Sequence, residues 1–188
     1  MVLTSIRFVL FAALLLAVYY AVPQRQRWWV LLSGSLCFYA LAGLKNVIYI
    51  LITAASTYLA ARGMQTLSAR QKARFRADPP LSKEEKAACK AKTAGRRRTI
   101  LVLTLVLNFG ILCGFKYAAF ALAQVSGLVR LFGGEGFSGA LHLIVPLGIS
   151  FYTFQTMGYL IDVYWKKVEA QPNFAKLLLF VSFFPQNT

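Results

Sequence analysis

The sequence predicts an all-α fold, a polytopic integral membrane helical bundle with about five to six apolar segments. Three observations carry that reading. Hydrophobic residues make up 58% of the 188 residues and charged residues only 14%. Soluble domains run at roughly 45–50% and about 25%. The apolar residues gather into long runs without the alternation of a half-buried strand. In lipid, finally, a backbone must satisfy its own hydrogen bonds, and a helix does so within one segment.

The segments follow in order. Residues Met1–Val22 form the first apolar run, with Arg7 placed to snorkel toward one interface. No small-x-small cleavage site follows it, since Val18, Tyr19 and Tyr20 crowd the place, so it reads as a span rather than a signal peptide. Pro23–Arg27 is a short basic turn. Trp28–Ala42 opens on two tryptophans, residues that favour the membrane–water interface. Leu44–Asn46 interrupts, and Val47–Ala61 is the third run. The second and third are short for straight spans, so tilt or their flanks must extend them.

Residues 62–99 are the one long hydrophilic insertion. Twelve of the 21 Lys and Arg lie between Arg62 and Arg98, beside only Asp78, Glu84 and Glu85. The segment reads as a solvated, partly helical loop broken at Asp78-Pro79-Pro80. Ser82 and Glu85 then form a capping-box signature for a new helix. The net charge of +15 is concentrated here, and Phe75 is the loop's only aromatic, so the charge does not point to nucleic acid. Basic juxtamembrane loops mark the cytoplasmic side and contact anionic lipid.

Ile100–Phe132, interrupted by Lys116, is either one long helix or two segments. Gly133–Gly139 is a turn, Leu143–Ile161 an uncharged span, Asp162–Lys176 a polar connection, and Leu177–Phe184 a further apolar stretch. The expected organisation is therefore residues 1–61 as N-terminal helices, 62–99 as the basic cytoplasmic loop, and 100–188 as the remaining helices. The charge rule puts the N-terminus outside. It puts Lys166 and Lys167 on the side of the basic loop if residues 100–132 cross once.

Cys37, Cys89 and Cys113 have no metal or disulfide spacing, and His142 has no partner at ligand spacing, so no metal is expected. No nucleophile–base grouping or carboxylate pair stands out, and no catalytic residue is assigned. One span is unusual. Pro146 can stand in its first turn. Gly148, Tyr152, Gln155, Tyr159 and Asp162 then follow at spacings of four, three, four and three, which share one helix face. Thr156 lies beside that face, while Phe154, Met157 and Ile161 point elsewhere. A polar stripe in a span faces other helices or a cavity, not lipid. Spacing alone leaves both open: interhelical hydrogen bonding or the lining of a passage.

The same stretch resembles a family. Pro146–Gln155 (P-x-G-I-S-F-Y-T-F-Q), Tyr159–Tyr164 (Y-L-I-D-V-Y), Asn173-Phe174 and Ser182–Pro185 (S-F-F-P) are similar to the hallmark region of bacterial membrane-bound O-acyltransferases. The similarity is to the alginate O-acetyltransferase-like branch. "VYYAVP" (18–23), "LLSGSLCFYA" (31–40) and "LNFGILCGFKY" (107–117) also look like that branch, so only the basic insertion departs from it.

The resemblance implies a partial helical acyltransferase fold in a bacterial cell membrane. It implies transfer of an acyl group, acetyl by branch, to hydroxyls of an extracytoplasmic polysaccharide. The acyl donor would be acetyl-CoA or an acyl carrier, with a partner acetyltransferase or acyl carrier protein involved. No bound cofactor is implied. On this reading Tyr152, Gln155, Tyr159 and Asp162 line the substrate cavity. The family's catalytic histidine lies beyond the S-F-F-P close and His142 does not match it. The chain is therefore expected to be an N-terminal fragment, inactive alone. The rival expectation is a non-enzymatic polytopic protein, a transporter subunit or scaffold, whose polar stripe only holds helices together.

Overall fold

The computed structural model describes residues 6–76, 82–131 and 148–183. Every regular element among them is an α-helix: α1 (Ile6–Ala21), α2 (Arg27–Ala42), α3 (Leu44–Phe75), α4 (Lys83–Leu131), α5 (Ile149–Tyr164) and α6 (Phe174–Ser182). Pro146, His142, the Gly133–Gly139 turn, Asp78-Pro79-Pro80 and the S-F-F-P close beyond Phe183 lie outside the described residues.

Length separates the helices. A bilayer core of about 30 Å needs about 20 helical residues. Two helices are long and apolar enough to cross a membrane, one over Leu44–Phe75 and one over Lys83–Gly114. α1, α2 and α5 have 16 residues each and α6 has nine. Among the described residues, helix length and composition thus give two membrane-capable helices of the about five to six apolar segments expected. The all-helical architecture is as expected.

One boundary differs from the sequence reading, and one alternative that it left open is decided. The break between the second and third runs is not Leu44–Asn46, which begin α3, but the single residue Gly43 at φ 135°. That is a left-handed conformation glycine adopts without a Cβ clash. Residues 100–131 are not two segments: α4 runs unbroken for 49 residues, about 74 Å at 1.5 Å per residue. The basic insertion, expected to be partly helical, forms two helical arms, the C-terminal part of α3 and the N-terminal part of α4. Its charges suit helix ends, with Lys72 and Arg74 in the last turn of α3 and Glu84 and Glu85 in the first turn of α4. The expected capping box is present. The Glu85 amide donates to Ser82 Oγ at 3.2 Å, and the Ser82 amide donates to Glu85 Oε2 at 2.9 Å.

α3 is the hub and packs on α2, α4, α5 and α6. One core gathers Leu32, Phe38 and Tyr39 of α2, Ile50 and Ala54 of α3, Ile149 and Tyr152 of α5, and Leu177, Leu178 and Val181 of α6. A second joins Ala60, Ala61 and Met64 of α3 to Leu160 and Val163 of α5 and to Ala170. The small residues let backbones approach, the usual device where lipid gives no hydrophobic drive to association.

α1 packs on α2, and Gly34 makes that contact. A Cβ there would lie 2.4 Å from Leu15 Cδ1 and 3.3 Å from its Cγ. Gly34→Ala is expected to be near neutral, because alanine adds about 1 kcal/mol of helix propensity and the end of Leu15 can rotate away. Gly34→Ile has no such escape and is expected to cost about 2 kcal/mol through overpacking. Thermal unfolding in detergent checks the contrast. An isoleucine variant as stable as the alanine variant would show that the close approach does not hold α1.

Candidate functional site

The hallmark stretch forms the best-connected corner of the bundle. Gly148, at φ 71°, precedes α5, and its carbonyl accepts the Tyr152 amide at 3.1 Å. The far end of α5 closes on a left-handed turn. The Lys166 amide donates to Val163 O at 3.1 Å and the Lys167 amide to Asp162 O at 2.9 Å, the paired bonds of a Schellman cap. Lys166 occupies the left-handed position at φ 62°, where glycine is usual.

A polar connection follows, pinned by two tyrosines. Tyr58 of α3 donates its hydroxyl to Pro172 O at 2.8 Å, and the Tyr159 hydroxyl accepts from the Gln171 amide at 2.8 Å. Asn173 then caps α6, its Oδ1 accepting the Ala175 amide at 2.9 Å, and Phe174 packs edge-on against Tyr58 at 5.5 Å. The Asn173-Phe174 pair of the hallmark thus has a local reason: one residue starts the helix and the other seats it on α3.

The polar stripe is real as spacing, but it is not the buried face of α5. The buried residues are Ile149, Tyr152, Thr153, Thr156, Leu160 and Val163. At 100° per residue that face is rotated roughly a quarter turn from the stripe. Tyr152 belongs to both. It is fully buried in the first core, and its hydroxyl has no hydrogen-bond partner among the described residues.

Gln155, Tyr159 and Asp162 are half-buried, and the first two face α6 and the polar connection. Gln155 Nε2 donates to Phe180 O of α6 at 3.1 Å, while its Oε1 is buried without a partner among the described residues. Tyr159 also packs against the Phe180 ring, at 6.1 Å. Thr153 and Thr156 enter the core because a helix can absorb their hydroxyls: Thr156 Oγ1 donates to Thr153 O at 2.8 Å.

Replacing Gln155 by leucine removes the α5–α6 bond and leaves Phe180 O unmet. The expected loss is about 1 kcal/mol, in the range of interhelical hydrogen bonds, read from thermal unfolding in detergent. Unchanged stability would mean that the bond contributes nothing to holding α6.

Sequence reasoning missed Arg97. It lay inside a segment read as solvated, yet it is only 8% exposed. Its Nη2 donates to Val163 O at 3.2 Å and also to Tyr164 O, and its guanidinium lies 5.2 Å from the Tyr164 ring. The arginine of one basic arm therefore caps the C-terminal carbonyls of α5, where a cation is favoured. Arg96 and Arg98 on either side are exposed. Only the helical phase, which needs the packing of α4 on α5, distinguishes the three.

Arg97 also brings Lys166 and Lys167 to the same end of the bundle as the basic arms. Lys176, at the start of α6, lies 6.0 Å from the Trp28 ring, so the Pro23–Arg27 turn shares that end.

Fold and site together define a helical bundle whose central helices can cross a membrane and whose most elaborated corner is the α5–α6 junction. The relatives of this chain are O-acetyltransferases of the membrane-bound O-acyltransferase family, at 30–38% identity. The chain is 30% identical over 181 residues to the probable alginate O-acetylase AlgI of Azotobacter vinelandii, a match covering 94% of this chain and 30% of that protein. It is 38% identical over 85 residues to the probable alginate O-acetylase AlgI of Pseudomonas aeruginosa, 45% of this chain and 16% of the relative. It is 34% identical over 114 residues to the peptidoglycan O-acetyltransferase of Helicobacter pylori, 48% of this chain and 21% of the relative. The chain thus spans less than a third of the length of these relatives. No family model and no solved structure matches it.

Proposed function

We propose that this chain is part of a membrane O-acyltransferase that moves an acyl group, acetyl in the reading its relatives favour, onto hydroxyls of an extracytoplasmic polysaccharide. The observation that carries the proposal is the match to an alginate O-acetylase over 94% of the chain. In the reaction, an acceptor oxygen attacks the acyl carbonyl of a thioester donor, acetyl-CoA or an acyl carrier. The ester forms, the thiol leaves, and a general base takes the acceptor proton.

The residues of this chain would frame that chemistry rather than perform it. Tyr152, Gln155, Tyr159 and Asp162 would wall the passage, with the Tyr152 hydroxyl and Gln155 Oε1, both buried and without a partner among the described residues, as the groups with a hydrogen bond still to make. The base would come from outside these 188 residues, so the chain alone would not turn over. The basic arms would lie in the cytoplasm, the side of the donor, and the N-terminus outside.

A second reading, in which the stripe only holds helices together, draws on the bonds that Gln155 and Tyr159 make to neighbouring backbone. Deleting the gene decides between them. Base-released acetate from the purified cell-surface polysaccharide should fall and return on complementation. Unchanged acetate would sink the acyltransferase reading.

A further inference from the structure

Beneath the basic arms lies a cavity of about 230 Å³ that the polar stripe does not reach. Its walls come from α3, α4 and the connection after α5, and its charged members are Lys72, Arg97, Lys166 and Glu169. Three features set it apart from an ordinary surface cleft.

The first is Arg97. It is nine-tenths buried, and among the described residues no carboxylate lies within ion-pair distance of it. Its partners are carbonyl oxygens, and its Nε is buried without any partner. A buried charge ordinarily carries a counter-charge. The C-terminal dipole of α5 supplies only about half of one.

The second is Lys166. A lysine in the left-handed position of a Schellman cap is strained where glycine is not, and the strained residue lines the cavity. Strain of that kind persists where the side chain has work to do.

The third is balance. Three cations face one carboxylate, so the cavity keeps a positive excess even after the helix dipole is counted. Gln65 adds a buried carboxamide oxygen without a partner, suited to a hydroxyl or protonated oxygen on the ligand. The larger cleft between the arms, about 660 Å³, is also rich in arginine and lysine. Its lining cations Arg70, Arg74, Lys92 and Arg96 are all exposed, and none is buried as Arg97 is.

We propose that the Arg97–Lys72–Lys166 cavity binds a phosphate group, carried either by an anionic lipid headgroup or by a soluble phosphate compound. Arg97 supplies planar donors on a rigid mount, the geometry suited to phosphate oxygens. Lys72 lines the cavity from the arm and Lys166 from the cap, both with exposed side chains. Glu169 opposes binding and sets its strength. The proposal does not depend on acyl transfer.

The test uses the full chain in a non-ionic detergent and phosphate-free buffer, with melting temperature as readout. One arm titrates inorganic pyrophosphate. The other compares mixed micelles containing phosphatidylglycerol with micelles containing phosphatidylcholine at equal mole fraction. A saturable rise in melting temperature is expected in one arm. Protection by pyrophosphate alone assigns a soluble ligand, and protection by phosphatidylglycerol alone assigns a lipid headgroup.

Lys166→Gly separates binding from folding. Its ligand-free melting temperature should equal or exceed the wild type, because the strain is relieved, while apparent affinity falls about tenfold. Glu169→Gln should bind more tightly. No protection in either arm would overturn the site, as would an equal rise with sodium chloride at matched ionic strength. So would a Lys166→Gly variant with unchanged affinity.

Discussion

Replacing Arg97 by alanine is expected to destabilise the bundle by about 3 kcal/mol, the largest loss foreseen for any single side chain outside the apolar cores. The reasoning starts at the end of α5. The last carbonyls of a helix lack intrahelical donors. The Schellman turn satisfies Asp162 O and Val163 O from the Lys167 and Lys166 amides. Tyr164 O depends on Arg97, which also shares Val163 O. Removing a charged donor from a buried site leaves its acceptors desolvated, and each such loss costs about 1.5–3 kcal/mol. The cation–π contact with Tyr164 goes too.

Arg97→Lys should recover only part. A lysine keeps the charge at the helix end, but its ammonium is more strongly hydrated than a guanidinium and costs more to bury, and it stacks less well on the Tyr164 ring. Thermal unfolding in detergent ranks the three proteins: wild type, then lysine, then alanine. An alanine variant within about 0.5 kcal/mol of wild type, the usual spread for surface substitutions, would show that Arg97 behaves as a solvated arm residue.

What could be read from the sequence follows the physics that acts locally. Helices were legible because apolar runs in lipid have no other way to close their backbone. The start of α4 was legible because Ser82 and Glu85 sit at capping-box spacing, and the box forms. The polar stripe was legible as a spacing. What escaped were the relations between helices. The stripe fixes which residues share a face of α5, but not which neighbour that face meets, and α6 takes Gln155 and Tyr159 while α3 takes Leu160 and Val163. Lys116 looked like a possible interruption, yet a single lysine does not break helical hydrogen bonding, and α4 continues through it. Gly43 was passed over because one glycine among apolar residues carries no periodic signal; its turn shows only in φ.

Tyr152→Phe carries the second large expectation, and its two readouts should move apart. The ring of Tyr152 fills a core shared with α2, α3 and α6, and phenylalanine keeps that ring. The hydroxyl is fully buried and makes no hydrogen bond among the described residues. Such a group imposes a desolvation penalty of about 1–3 kcal/mol on folding. Its removal should therefore leave stability unchanged or raise it by about 1 kcal/mol.

If the hydroxyl instead serves the passage proposed for the acyl acceptor, it does so by contacting substrate, and acyl transfer by the whole enzyme should fall about tenfold, equivalent to about 1.4 kcal/mol of transition-state binding. A protein that is as stable as wild type and about tenfold slower is the expected result. Gln155→Leu cannot give so clean an answer, because it also breaks a bond to α6. A Tyr152→Phe variant both stable and fully active would remove Tyr152 from the passage and leave it as core. An unstable one would mean that the hydroxyl holds the helices together, and the stripe would then read as interhelical bonding at this position too.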